Sequence, residues 1–304
     1  MTQGNKDFAL LHLLVLIWGF TAILGVVISL PAVETVFYRT LLSSGGLLVI
    51  ILISRRSFRF RRGANYLVTL STGALIAFHW ILFFLSARVS NVSICLAGMA
   101  TCSLWTSLIE PLAYRKKIKG FEVILSVVAF IGIAVIFNVA FDHFLGLSLA
   151  IVSALASAIF TVINGKLIRQ EDPFVITGYE MIGATIAIAL FFPVYIRLDG
   201  VEGLNLVPGW EDWMYLSLLA LVCTVFAYSY SVKLMKRLSA FSVNLTVNLE
   251  PVYGIVLALI FFPEREQMTS GFYLGTALIL ASVLSYPLLN RAFKRKALDT
   301  DVLR

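Results

Sequence analysis

Charge is what this sequence has least of. Asp, Glu, Lys and Arg make up 13% of its 304 residues, against 60% hydrophobic and a mean hydropathy of +0.92. Soluble domains carry roughly 25% charged residues, so a water-exposed globular fold is excluded and a polytopic membrane protein remains. Cysteine is scarce: Cys95, Cys102 and Cys223 lie inside apolar runs without metal-ligand spacing. They read as small buried hydrophobes, not as a disulfide framework. Histidine is scarcer in effect, since His12 and His143 are isolated and His79 has no carboxylate nearby in sequence. A Walker-type glycine loop is missing, which excludes direct drive by ATP. Neither a metal nor a cofactor is expected. Alternating ten-residue strands are missing too: the apolar runs are about 20 residues long, the length of a membrane-crossing helix and not of a barrel strand. The first of them, from Phe8, lacks the charged leader and small-residue cleavage site of a signal peptide, so it reads as a first span.

Ten spans account for the runs: 8–29, 34–53, 64–87, 91–113, 121–139, 144–166, 174–196, 212–233, 241–262 and 270–290. The positive charge then sets the orientation. With the N-terminus inside, all but four of the 24 Lys and Arg fall in cytoplasmic segments, the exceptions being Arg39, Arg88, Arg197 and Arg265. Both termini are expected in the cytoplasm. The net charge of +7 therefore points to the inner face of a membrane and not to nucleic acid. Residues 197–212 form the longest outer loop, and 291–304 a short basic tail.

The most polar of these spans is the ninth, FSVNLTVNLEPVYGIVLALIFFPE from Phe241 to Glu264. A carboxylate near mid-membrane costs about 2.5–3.5 kcal/mol on insertion scales, and Pro251 deprives the Val247 carbonyl of its usual donor. At about 100° per residue, Asn244, Asn248 and Pro251 share one face, while Thr246, Glu250 and Tyr253 lie roughly opposite. A helix polar on two sides belongs inside a bundle, beside a cavity.

The two halves also repeat weakly. Phe20-Thr21 and Gly25 match Phe160-Thr161 and Gly165, Tyr38-Arg39 matches Tyr179-Glu180, and Ser90 matches Ser239. Five spans per half is an odd number, so the second half is inverted relative to the first, a plan that places a substrate site at the repeat interface. The expected architecture is thus an all-α integral membrane protein of ten transmembrane helices, arranged as two inverted five-helix repeats, 1–143 and 144–290, around a central cavity.

In order and spacing, Trp18-Gly19, Phe37-Tyr38-Arg39, the run FFLSARVSN from Phe83, Glu250-Pro251-Val252 and Phe262-Pro263-Glu264 resemble the EamA-type transporters of the drug/metabolite transporter superfamily. The resemblance covers the whole membrane portion. It implies a bacterial inner-membrane carrier that moves small organic metabolites and works as a monomer or homodimer. The sequence departs from a symmetric pattern in one place. Glu250-Pro251 falls opposite Thr101-Cys102 in span 4, and Glu110-Pro111 comes nine residues later.

Candidate cavity residues follow from unusual side chains in apolar runs. They are Trp18 and Trp105, too deep for an interfacial belt; Arg39 and, at its repeat position, Tyr179 and Glu180; His79 with Trp80 and, at the position matching His79, Tyr228; and Asn244, Asn248 and Glu250, with Pro251 as a helix break for gating. Two buried carboxylates beside aromatic rings suit an amine or zwitterion, and Arg39 suits its carboxylate. The expected function is a secondary transporter exporting an amino acid or similar metabolite by alternating access, coupled to protons through Glu180 or Glu250 or uncoupled. The alternative is an intramembrane enzyme acting on a lipid or other hydrophobic substrate; a sensor or assembly partner without transport is a third reading.

Overall fold

The computed structural model describes residues 3–90, 92–137, 144–198, 203–250, 252–253 and 270–302. Every regular element among them is helical: α1 (Gln3–Val27), α2 (Ala32–Ile53), α3 (Ala64–Val89), α4 (Val92–Met99), α5 (Thr101–Ala113), α6 (Gly120–Phe137), α7 (Phe144–Leu167), α8 (Pro173–Tyr195), α9 (Trp210–Ala220), a π-helical segment Leu221–Phe226, α10 (Ala227–Leu234), α11 (Ala240–Val247) and α12 (Ser270–Val302). Seven stretches are long and apolar enough to cross a membrane, with α9, the π segment and α10 counting as one. The expected fourth span is split at Ala100 into α4 and α5, and the fifth corresponds to α6, a shorter apolar helix. Of the ninth, the helical part described is α11 together with Glu250, Val252 and Tyr253. Pro251 and Glu264 lie outside the described residues.

Local chemistry sets several boundaries. Asp172 caps α8, accepting from the Phe174 N–H at 2.9 Å, with Pro173 as the first helical residue. Ser239 caps α11 through the Ser242 N–H, and Glu110, reaching across from α5, accepts the Phe241 N–H at 2.7 Å. Glu110 therefore satisfies one of the orphan donors that begin a helix. At the far end of α1, Arg88 donates to the carbonyls of Gly25, Ile28 and Leu30.

Two ends of the bundle are tied differently. At the basic end Arg237 makes two 2.6 Å bonds to Asp7, Arg56 pairs with Asp172, and Glu171 accepts from the Arg61 N–H and from Asn65. At the opposite end Asp212 accepts from the Ser29 N–H and hydroxyl, the Asn205 N–H donates to Glu34, and Tyr38 donates to the Leu206 carbonyl. The segment before α9 is thus strapped across the start of α2.

The central packing is of α3 against α8 and α7. It is close because of glycine: a Cβ at Gly73 would meet the Glu180 carbonyl at 2.0 Å, and one at Gly183 would meet the Leu70 carbonyl at 2.3 Å. Likewise Gly132 of α6 faces the Gly275 carbonyl of α12, where an added Cβ would lie 2.8 Å away. Gly275 thus serves helix packing inside this chain.

Candidate functional site

The π segment organises the centre of the molecule. An i→i+5 turn leaves α-helical carbonyls without their regular donors, and side chains from three elements take them up. Thr224 donates to Leu219, Ser43 of α2 to Ala220, and the Trp18 indole of α1 to Cys223 at 3.0 Å. The Thr224 hydroxyl in turn accepts from the Arg39 Nε at 2.9 Å. These bonds fix both Trp18 and Arg39 against the same turn. The Arg39 guanidinium lies 3.6 Å from the centre of the Trp80 ring, a cation–π contact. Arg39 is 3% exposed and has no ion pair among the described residues. It does not snorkel to a surface.

Around this pair is a cavity of about 90 Å³. Its walls combine Trp18 and Thr21 of α1, Arg39, the α3 stripe His79, Trp80 and Phe83, Ser157, Phe160 and Thr161 of α7, and Tyr228 of α10. Asn244 and Glu250 close it from the α11 side. His79 is oriented from behind. Its Nδ1 lies 3.0 Å from the Ser153 carbonyl and 2.7 Å from the Ser153 hydroxyl, which leaves Nε2 as the other polar position of the ring. The Ser153 hydroxyl donates to the His79 carbonyl at 2.8 Å, locking the α3–α7 contact.

Seven of the residues expected from the sequence therefore share one cavity: Trp18, Arg39, His79, Trp80, Tyr228, Asn244 and Glu250. Four do not line it. Glu180 is fully buried behind Tyr228, whose hydroxyl donates to it at 3.2 Å while accepting from Asn164 at 2.7 Å. The second Glu180 oxygen and the Asn164 carbonyl oxygen have no partner among the described residues. Asn248 donates to Ser103 at 2.9 Å and Asn244 to Thr106 at 2.8 Å, so both tie α11 to α5, but Asn244 also reaches the cavity. Trp105 packs by Cys102, Ala154 and Ala158. Tyr179 lies near the basic end, in a ring cluster with Phe60 and Tyr66, donating to the Phe58 carbonyl.

Sequence reasoning passed over Phe83, Phe160, Met99, Ser157 and Thr161. Apolar and hydroxyl residues on a helix look alike whether they face a cavity or a neighbour. The Phe160-Thr161 match to Phe20-Thr21 was the one available pointer. Each cavity group has a distinct capacity: a cation over an indole, a carboxylate, an imidazole, an amide and a ring of aromatic faces.

Residues 144–286 match the family model described as the EamA-like transporter family. An "uncharacterized transporter" of Archaeoglobus fulgidus is 24% identical over 91% of this chain and 97% of its own length. YxxF of Bacillus subtilis, also called an uncharacterized transporter, is 23% identical over 93% of this chain and 90% of its own. A solved crystal structure shares the fold at a TM-score of 0.75 and 14% identity, over 95% of this chain and 99% of that one.

Proposed function

We propose that this chain, whose residues 144–286 match the EamA-like transporter family model, is a secondary carrier for an amino acid or similar zwitterion. The observation that carries this reading is Arg39. It is a buried cation held over Trp80 and Thr224 with no carboxylate paired to it among the described residues, in one cavity with Glu250. A substrate carboxylate would supply the missing counter-charge, since a buried charge is retained where it is paired. Glu250 would take the ammonium, and the rings of Trp18, Trp80 and Tyr228 would pack the side chain. A 90 Å³ space is about three times the ~30 Å³ that a water occupies in the liquid, the scale of a small amino acid.

In this reading the halves 1–143 and 144–290 are inverted five-helix repeats of a ten-span fold that rock about the cavity, with both termini on the cytoplasmic side of a bacterial inner membrane. The paired ties at the two ends of the bundle, Asp7–Arg237 and Asp212–Ser29, are then the contacts that open in alternation. The direction we assign is export. Protons are the coupling ion for which the bundle holds carriers: Glu250 in the cavity and Glu180 one side chain behind it. The intramembrane-enzyme reading is not favoured, because the family match and the relatives are transporters.

Flux of labelled amino acids in proteoliposomes tests the proposal. Saturable uptake or release that is abolished by Arg39→Gln is expected. Failure across a broad metabolite panel overturns the carrier reading. Unchanged pH-driven flux in the Glu180→Gln/Glu250→Gln double variant overturns the proton coupling alone.

A further inference from the structure

A second feature lies outside the cavity, on the lipid-facing side of α2. Here Gly45, Gly46 and Val49 form one wall of an open apolar groove, and Leu221, Val225 and Phe226 of the π segment form the other, enclosing about 680 Å³. The groove exists because of its glycines. A Cβ at Gly46 would already press on Leu221 and Val225 at 3.1 and 3.2 Å, whereas one at Gly45 would meet nothing within 4 Å. Gly45 is thus the notch itself.

The groove runs toward the basic end and finishes at Arg56, which also lines a second, separate pocket of about 710 Å³. That pocket holds five cations, Arg56, Arg59, Arg61, Arg169 and Lys236, against two carboxylates. Both carboxylates are engaged: Asp172 caps α8 and pairs with Arg56, and Glu171 accepts from the Arg61 N–H and Asn65. Arg59, Arg61, Arg169 and Lys236 have no carboxylate partner among the described residues. The Arg56 Nε, at the junction of the two, is a buried donor without an acceptor among the described residues.

The dimensions fit one class of molecule. From Gly45 to Ile53, where α2 ends, the helix rises about 12 Å at 1.5 Å per residue, most of the ~15 Å of one hydrocarbon leaflet, half of the ~30 Å core, and the chain then turns so that Arg56 stands at the groove's end. We propose that the groove and the basic pocket together bind one anionic phospholipid, its acyl chain along Gly45–Val49 and its phosphate among Arg56, Arg59 and Arg61. Basic pockets between spans on the cytoplasmic side are suited to such headgroups. The bound chain lies on the outer face of the π segment, whose inner face holds Trp18 and Arg39. The site therefore touches the turn that sets the cavity, yet its occupancy does not depend on what the cavity carries.

The test is native mass spectrometry of the full chain taken from vesicles of phosphatidylglycerol and phosphatidylcholine in equal amounts. We expect retained phosphatidylglycerol in preference to phosphatidylcholine, reduced about fivefold for each arginine removed in Arg59→Gln and Arg61→Gln. Gly45→Leu, which fills the notch, is expected to reduce it comparably. Where that variant does not fold, Val49→Trp fills the same groove from a residue that is 53% exposed. Equal retention of the two lipids overturns the proposal, as does retention indifferent to both groove-filling variants. Displacement of the lipid by millimolar inorganic phosphate assigns the basic pocket to a free anion and overturns it as well.

Discussion

The helices α4–α5 and α11 break at matched places by different means. Ala100 separates α4 from α5, and Leu249, 149 residues later, lies in the turn that ends α11. In the first, there is no proline at the break. Gly98 lets α4 sit on α7, where a Cβ would fall 2.4 Å from that of Ala150, and the Thr101 hydroxyl takes the Gly98 carbonyl at 2.8 Å. In the second, the last turn tightens, with Asn248 donating to Leu245 and Leu249 to Thr246, and Glu250-Pro251 follow. No Glu-Pro pair stands at Thr101-Cys102, yet the described helices break in both places. The break between α4 and α5 comes with close packing at Gly98, and the end of α11 with a tightened last turn at Asn248 and Leu249. The carboxylate is a separate feature, present on one side. The α5 side offers Ser103 and Thr106 as acceptors for Asn248 and Asn244, while the α11 side delivers Asn244 and Glu250 to the cavity.

The largest effect that would break this contrast is at Glu250. Glu250→Gln is expected to lower flux about a hundredfold, the scale of losing one partner of a buried charge interaction, while Thr101→Val at the matching position stays within about twofold of the parent. Equal losses in both would erase the asymmetry. Next is Gly98→Leu, which forces α4 off α7 and is expected to destabilise by about 1–3 kcal/mol as an overpacked contact, read as a lower melting temperature with KM unchanged in the surviving protein. Asn248→Ala and Asn244→Ala each remove an interhelical bond worth about 0.6–2 kcal/mol. Both lower thermal stability, but only Asn244→Ala raises KM, and a KM change in Asn248→Ala would place that side chain in the substrate path. The smallest effect is at Trp105, whose indole N–H has no partner among the described residues: Trp105→Phe should change stability by about 0.5 kcal/mol or less, against about 1 kcal/mol for Trp18→Phe, which loses the bond to the Cys223 carbonyl.

Residues that violate their surroundings were legible in the sequence. A guanidinium, a carboxylate and two amides in apolar runs announce a bundle interior, and Arg39, Glu250 and Asn244 do line the cavity. What the side chains meet was not legible. Glu180 and Tyr179 follow Tyr38-Arg39 in the repeat, yet one stands behind Tyr228 and the other joins Phe60 and Tyr66 near the basic end. A sequence offset aligns helices along the chain but leaves the partner packed against each face undetermined. Asn248 shares a face with Asn244 by its spacing of four and meets α5 just as Asn244 does, but it does not line the cavity, although Val247 and Glu250 on either side of it do. The π segment LVCTVF has no proline, glycine or charge to mark it. Its signature is tertiary, in the carbonyls taken by Trp18, Ser43 and Thr224.

The central claim is that Arg39 receives the carboxylate of a zwitterion whose ammonium faces Glu250. The most direct measurement is the equilibrium affinity of the purified full chain for a transported amino acid and for the amine left when its carboxylate is removed, in the parent and in Arg39→Gln. The account predicts that the parent prefers the amino acid by about a hundredfold, the scale of a buried charge-assisted pair, and that Arg39→Gln erases the preference by weakening the amino acid alone. A preference that survives Arg39→Gln intact would contradict it.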